Sequence, residues 1–385
     1  MRQSTLASFV GVTEPTAGVL PDGYLVVDLF CSVGGVSTGA SQLGHRVVLA
    51  VDFDQSRLDV HACNHPFARH ECMKLGPETQ EQLLALIDAT VPSDQRHRLW
   101  IHLSPPCQGQ SQMRALGKRK STNNDVADSQ EIQDHKNRGL DLVSWCLDLV
   151  CFLRPAQFSI EEVSDTKGCV KALMQATRAK HRDLFDFENF DMSLYGVPQT
   201  RSRLICGRPE TIRRLRLDNS LKVRRRLGVA DTVRIPEGTR FVQGLISRPL
   251  SPEKVHAVAR NPGKYTDGMV DLFEPYLPSP TCGSRPFTWI GDHPFARIRL
   301  MSPDEIGALC TFPPSFRWPP TATAQLKYDG YGNAVPPLFV QKLMRAAEGE
   351  YTPATGIGDP LTPSRLWRYP SAPGASASPS APDSL

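Results

Sequence analysis

Short apolar runs alternate with segments of helical periodicity from Tyr24 to Gly207, and this alternation limits the folds open to the chain. Tyr24–Phe30 reads as a buried strand, because an apolar run that short is too brief for a core helix. A Gly-containing loop follows, then a predicted helix from about Val36 to Leu43. Arg46–Val51 is the second predicted strand and Asp54–Asn64 the second helix. Gln80–Ala89 is a further helix, and the next strand, Leu99-Trp100-Ile101-His102-Leu103, ends at Leu103. Arg138–Leu153 carries Leu140, Val143, Leu147 and Val150 at helical spacing, and Arg154-Pro155 ends it. Gln157–Ile160 and Arg203–Cys206 are further strands. Strands and helices alternating along the chain predict a parallel α/β sheet.

Outside that region the pattern changes. Residues 1–22 read as a flexible tail, and 117–135, with Lys118-Arg119-Lys120-Ser121, as a mobile polar loop. Residues 208–280 are basic and irregular, which suggests a second domain. Arg297–Leu309 and Leu338–Glu348 read as helical again. The end of the chain, from about Thr352, is rich in Pro, Ser and Ala and reads as disordered.

Net charge is only +4 over 385 residues, but residues 208–277 hold 14 Lys or Arg against 8 Asp or Glu. That segment carries +6 and the remainder −2, the distribution expected of a phosphate-contacting surface or of a solvated basic loop. The ten cysteines form no CxxC pair, and no Cys/His group has zinc spacing, so no metal site is expected. Free thiols fit a reducing compartment. Met1–Val10 lacks the apolar core of a secretory signal, and no apolar run approaches the ~20 residues that span a bilayer. An intracellular protein without a membrane partner is expected.

Two groups of residues point to chemistry. The first is Asp28-Leu29-Phe30-Cys31-Ser32-Val33-Gly34-Gly35, where a strand runs into a small loop that opens a helix. Glycine there lets backbone approach a ligand closely, and Asp52, at the end of the second strand, is placed to bind a ribose diol. The loop is not GxGxxG, so adenosine without a pyrophosphate, as in S-adenosylmethionine, fits it better than a dinucleotide. The second is Cys107 with Glu161, Arg201 and Arg203. Ser104-Pro105-Pro106-Cys107-Gln108 puts a thiol on a stiff loop at a strand end. Arg201 and Arg203, at period two, share one face if the strand extends that far.

Taken in order, these motifs resemble those of the cytosine-5 DNA methyltransferases, from about Leu25 to Leu343. Asp28–Gly39 resembles the family's cofactor motif, and Pro106-Cys107-Gln108 its catalytic loop. Glu161-Glu162-Val163 stands at its Glu-Asn-Val, and Gln199–Arg203 at its Gln-x-Arg-x-Arg. Arg299–Pro313, with Glu305 inside, and Gly332-Asn333-Ala334-Val335 resemble its last two blocks. The resemblance implies a Rossmann-like S-adenosylmethionine-dependent methyltransferase sheet with a small basic target-recognition domain. Its parts would be a catalytic domain over 23–207, the recognition domain over 208–280, a return to the catalytic domain over 281–350 and a tail over 351–385.

It also implies the residue roles. Cys107 is the expected nucleophile toward carbon 6 of cytosine, with Gln108 beside it. Glu161 holds ring nitrogen 3, Arg203 holds the exocyclic oxygen, and Arg201 supports the site. Phe30, Ser32, Gly34, Gly35, Asp52, Phe53 and Pro105 would hold S-adenosylmethionine, with Asn333 and Val335 at its methionine end. The target base must be flipped out of double-stranded DNA to reach the thiol.

Three positions depart from the family pattern. Ser32 replaces a glycine. Glu162 replaces an asparagine, so a second carboxylate would either favour the protonated form of Glu161 or weaken the scaffold. Glu71 or Cys72 stands where an aspartate often contacts the adenine. Gln3, Leu6 and Phe9 resemble a PCNA-interacting peptide, with Val10 in place of a second aromatic, which would imply a eukaryotic, archaeal or viral setting, and the nucleus if the host is eukaryotic. A transfer-RNA cytosine-5 methyltransferase and a non-catalytic DNA-binding paralogue remain as alternatives.

Overall fold

The computed structural model of the chain describes residues 23–106, 125–163, 169–233, 239–242, 269–270, 278–280, 288–291 and 299–349. Its main sheet takes β1 (Leu25–Leu29), β2 (Arg46–Asp52), β3 (Arg69–Cys72), β4 (Leu99–Leu103), β5 (Gln157–Val163) and β6 (Asp186–Asp191). A two-residue strand, β7 (Gln199–Thr200), lies outside this sheet, and β8 (Ser202–Gly207) is its seventh strand. The spatial order is β3-β2-β1-β4-β5-β8-β6.

The first five strands in that order run parallel. β8, however, is antiparallel to both β5 and β6, so the sheet is mixed rather than all parallel as expected. The cause is the link between β6 and β8. It is too short for a parallel crossover, which needs about a dozen residues or more, so the chain turns back instead.

The chain leaves β1 to build β2 and β3 on one side, then returns to place β4 and β5 on the other. β1 and β4 therefore flank a point where the winding reverses, and a crevice opens there beyond their carboxyl ends.

Ten helices accompany these strands among the described residues: α1 (Gly35–Gln42), α2 (Gln55–Asn64), α3 (Gln80–Thr90), α4 (Asp125–Leu153), α5 (Cys169–Lys180), α6 (Pro209–Leu217), α7 (Val229–Thr232), α8 (Pro303–Leu309), α9 (Ala324–Asn333) and α10 (Pro337–Glu348). One face of the sheet packs Val27, Leu29, Ile101 and Ile160 against Leu83 and Ile87 of α3, Val143, Leu147 and Val150 of α4, and Met174 of α5. The opposite face packs Val26, Trp100 and Ile205 against Val36 and Ala40 of α1, Ile212 and Leu215 of α6, and Phe339 and Leu343 of α10. Strands covered on both faces have no polar side to show. This is why β1, β2 and β4 read as apolar runs, interrupted inside the strands only by Asp28 and His102.

Two helix boundaries differ from expectation. Residues 125–135 are not loop but the first turns of α4, which begins at Asp125. Ala, Gln and Glu there are good helix formers, so the helix runs on beyond its apolar stripe. The helix expected over 297–309 instead starts at Pro303, preceded by strand β13 (Arg299–Leu300). Ser302 fixes that start: its hydroxyl accepts from Glu305 N at 3.2 Å, and the Glu305 carboxylate accepts from Ser302 N at 2.7 Å. Glu305 thus acts as a capping-box residue.

From the segment 208–280 read as irregular, β9 (Thr239–Val242) and β10 (Met269–Val270) join β12 (Thr288–Gly291) and β13, which lie beyond it, in an antiparallel sheet of order β10-β9-β12-β13. β11 (Ser279–Pro280) pairs in parallel with β7, which ties this segment to the main body. Its opening part, α6, already packs on the main sheet through Ile212 and Leu215.

Candidate active site

The loop after β1 is bent tightly. Phe30 and Ser32 both hold left-handed backbone, at φ 59° and 49°, and Gly34 does so at φ 93°. A non-glycine residue there costs free energy that neighbouring contacts must offset. Asp52 makes such a contact. Its carboxylate accepts from Ser32 N at 2.9 Å and from Asp54 N at 3.0 Å, and the Cys31 amide donates to Val51 O at 3.1 Å. The end of β2 thereby clamps the loop that follows β1, and the serine at position 32 keeps the bend that a glycine would adopt without strain.

Gly35 is required for a different reason. A Cβ at this position would lie 2.3 Å from Val335 O and 3.0 Å from Ala334 Cβ. The start of α1 and the 334–335 turn therefore touch backbone to backbone. Gly35→Ala is expected to push them apart at a cost of about 1–3 kcal/mol. Thermal denaturation of the variant should show a lowered midpoint, and an unchanged midpoint would mean that the contact yields.

The 332–335 block is held from a second side. Arg201 is 2% exposed and its Nη1 donates to Gly332 O at 2.9 Å. Gln199, fully buried, donates through Nε2 to Leu309 O at 2.9 Å. Two residues of the Gln-x-Arg-x-Arg segment thus brace the last blocks of the chain against the sheet. The third, Arg203, pairs through Nε with Glu161 Oε1 at 2.9 Å. Val163, not Glu161, is the register partner of Arg203 on β5, so the ion pair is a same-face diagonal across antiparallel strands. Arg201 itself lies between β7 and β8 rather than on a continuous strand.

Glu161 lies within β5 rather than beyond it, and Glu162 is the next residue of the same strand. Side chains alternate along a strand, so the two carboxylates leave by opposite faces. Glu161 meets Arg203, whereas Glu162 acts on Cys146 of α4, whose thiol is pushed well up by burial and then by that carboxylate. Its Oε2 also accepts from Val163 N at 3.0 Å.

These elements enclose a cleft of about 860 Å³, open solvent at its mouth included. Phe30, Ser32, Gly35, Asp52, Phe53, Pro105, Glu161, Arg201, Arg203, Asn333 and Val335 all line it. Gly34 shapes the loop without lining the cleft. Cys107 and Gln108 lie outside the described residues, as do Gln3, Leu6 and Phe9. The residues before Cys107 are fixed: Ser104 N donates to Leu29 O at 3.4 Å and Ser104 Oγ to Phe30 O at 3.2 Å, and Pro106 lines the cleft.

Asp28 and Arg57 also line the cleft, and sequence reasoning gave neither a role. Asp28 is buried, and loss of solvation raises its carboxyl to about 7 against the hydrogen bonds from Ser37. Arg57 pairs with Asp54, the N-cap of α2, at 3.3 Å. At the third departure, the Cys72 thiol donates to Phe53 O at 3.4 Å, and Glu71 pairs with Arg69.

Much of the basic charge after residue 207 has partners inside the fold. Arg213 and Arg214 pair with Glu210, Arg216 with Glu188, Arg225 with Asp231 and Arg226 with Asp191. Glu188 and Asp191 belong to β6, so part of the excess seen in the sequence is neutralised by carboxylates outside the segment. Among the described residues no group of His, Cys, Asp and Glu could hold a metal ion, and no helix is long and apolar enough to cross a membrane.

Comparisons with known proteins agree with this arrangement. The chain is 28% identical over 185 residues to the type II methyltransferase M.XorII of Xanthomonas oryzae pv. oryzae, a match covering 46% of this chain. The chain spans only 39% of the length of that curated relative. Among solved structures, the Dnmt2 methyltransferase of S. pombe superposes with a TM-score of 0.53 at 16% identity, over 83% of this chain and 96% of that one. A Spodoptera frugiperda DNMT2 mutant gives 0.51 at 18% identity, over 84% and 99%. The Entamoeba histolytica methyltransferase EhMeth gives 0.51 at 14%, over 84% and 98%. At these identities the likeness is one of fold. The C-5 cytosine-specific DNA methylase model matches residues 24–210, and it is this stretch, with the clamped loop, the Pro105-Pro106 turn and the Glu161–Arg203 pair, that the chain shares with that family.

Proposed function

We propose that the protein transfers a methyl group from S-adenosylmethionine to carbon 5 of a cytosine flipped out of duplex DNA, with Cys107 as covalent nucleophile. The observation that carries this reading is one cleft that joins the clamped 28–35 loop to the Glu161–Arg203 pair, beside the two prolines leading to Cys107.

The cleft suits the methyl donor. Ser32 Oγ and Asp28 Oδ1 are buried at its wall without a hydrogen-bond partner among the described residues. Phe53 stands 56% exposed at its rim, where an aromatic ring gains by stacking on a purine. Asp52, Phe30 and Ser32 hold the adenosine, and Asn333 and Val335 line the methionine end. S-adenosylmethionine, when bound, supplies an electrophilic methyl group to carbon 5.

The chain's own residues prepare the base. Carbon 5 of cytosine is a weak nucleophile, and addition of the Cys107 thiolate to carbon 6 gives it enamine character. Glu161 holds ring nitrogen 3 as charge develops there, and Arg203 keeps Glu161 in place while reaching the exocyclic oxygen. Arg201 holds the 332–335 turn. Loss of the carbon 5 proton and expulsion of Cys107 then restore the aromatic ring. In the same reading, the peptide around Gln3, Leu6 and Phe9 recruits the enzyme to PCNA.

Labelled S-adenosylmethionine offered with duplex DNA, hemimethylated DNA and transfer RNA in parallel tests the proposal. Label in DNA is the expected result. Label in transfer RNA alone would replace DNA as substrate, and binding of the donor with no transfer to any acceptor would point to a regulatory protein.

A further inference from the structure

A chain of hydrogen bonds leads from the cleft wall to the surface and takes no part in the mechanism above. Ser37 Oγ lies 2.6 Å from Asp28 Oδ2, His61 Nε2 lies 2.9 Å from Ser37 Oγ, and His70 Nε2 lies 2.8 Å from His61 Nδ1. Ser37 and His61 are fully buried, whereas His70, on β3, is partly exposed. We propose that Ser37, His61 and His70 form a proton relay that sets the charge of Asp28, so that the cleft distinguishes a cationic sulfonium ligand from its neutral thioether counterpart. The ligand half of this proposal rests on the S-adenosylmethionine reading; the relay does not.

The geometry allows only two directions for the chain. When Asp28 is ionised, Ser37 Oγ–H donates to it, His61 Nε2–H donates to Ser37, and His70 Nε2–H donates to His61 Nδ1. When Asp28 is protonated every bond reverses, and His61 carries its proton on Nδ1. Passing between the two states moves one proton across each link while another enters or leaves at His70. Nothing but protons moves, and no co-reactant is needed. A hydroxyl between two imidazoles and a carboxylate suits this, because each group both donates and accepts.

The charged and titratable neighbours are few. Asp52 raises the Asp28 carboxyl, and the Cys31 thiol is raised by burial and by Asp28 and Asp52 in turn. Arg57 acts on Cys31 in the opposite sense. His102 is the register partner of Asp28 on β4, and burial lowers it to about 3, so it stays neutral. The His65 ring lies 4.7 Å from that of His61, tilted by 50°, and is lowered to about 4, by burial and then by His70. His61 is held neutral by burial first and by His65 and His70 next. His70 is lowered by burial, offset by a hydrogen bond to the Ala68 backbone. Burial thus favours the neutral form of each of these imidazoles, while Asp28 is the group raised toward neutrality.

Ring-nitrogen NMR on the ligand-free protein between pH 5 and 9 tests the relay. His61 and His70 should exchange tautomers at one shared midpoint. Ser37→Ala should leave the His61 tautomer independent of pH, and Asp28→Asn, an isosteric change that removes a buried charge, should do the same. Titration calorimetry tests the consequence. Affinity for S-adenosylmethionine should fall about tenfold per pH unit below the Asp28 midpoint, while affinity for S-adenosylhomocysteine stays flat; Asp28→Asn should flatten both. Fixed tautomers across the range would overturn the relay. Equal pH dependence for the two ligands would overturn the discrimination. Binding of neither ligand would defeat the cofactor reading, and the NMR result would still decide the relay.

Discussion

Cys107→Ala should abolish methyl transfer, by on the order of 10⁴-fold or more, and leave S-adenosylmethionine binding intact. The size of the loss follows from the substrate. Carbon 5 of cytosine has little nucleophilic character until carbon 6 is saturated, so without the thiol the methyl donor meets an unreactive carbon. No other described thiol can take over. Cys31 also lines the cleft, but burial and the Asp28 and Asp52 carboxylates push its thiol well up, which keeps it protonated and inert. Donor binding is spared because, Pro105 apart, the residues proposed to hold it sit at the ends of β1 and β2 and in the 333–335 segment. These are clamped by Asp52 and Arg201 independently of position 107. The sharpest measurement uses duplex DNA with 5-fluorocytosine at the target. Fluorine cannot leave as a proton does, so the thioether adduct persists and mass spectrometry places it on a peptide. The adduct is expected on Cys107 and absent from the Ala variant. Residual turnover in that variant, or an adduct on another residue, would remove Cys107 from the mechanism.

What the sequence makes legible follows from burial. β1, β2 and β4 are covered on both faces, so their apolar runs alone locate them to within one residue at most ends. β3 (Arg-His-Glu-Cys) and β6 (Asp-Phe-Glu-Asn-Phe-Asp) stand at the two edges of the sheet, where burial demands little, and their polar sequences give no strand signal. Site residues divide in the same way. Phe30, Asp52, Glu161 and Arg203 lie at strand ends or in motifs, and chain order alone brings them toward one crevice. The roles of Gln199 and Arg201 as braces are not visible in sequence, because their partners, Leu309 and Gly332, lie more than a hundred residues away. The same holds for the basic segment. A charge count cannot show that Glu188 and Asp191, well upstream, neutralise Arg216 and Arg226. Nor can it show that His61 and His70, on different elements, join Ser37 in one chain of hydrogen bonds.

Glu161→Gln should lower kcat by about 10²–10⁴-fold, the range for loss of a positioned acid or base, with little change in KM for S-adenosylmethionine. Glutamine keeps the shape of the side chain and one acceptor oxygen, so the fold should survive. It loses the charge that holds Arg203 at 2.9 Å and the ability to share a proton with ring nitrogen 3. Both losses act on the cytosine side of the cleft, which is why the split between kcat and the donor KM is diagnostic. A purely structural Glu161 would change stability instead and leave the pH profile of kcat as it was. Arg203→Ala removes the other half of the pair and should cost a similar factor. Because the two residues touch, the double variant should lose much less than the product of the single losses. Strict multiplication of the two effects would show that Glu161 and Arg203 serve the base separately. A wild-type rate in Glu161→Gln would exclude proton sharing at nitrogen 3, leaving Arg203 and the cysteine adduct to activate the ring.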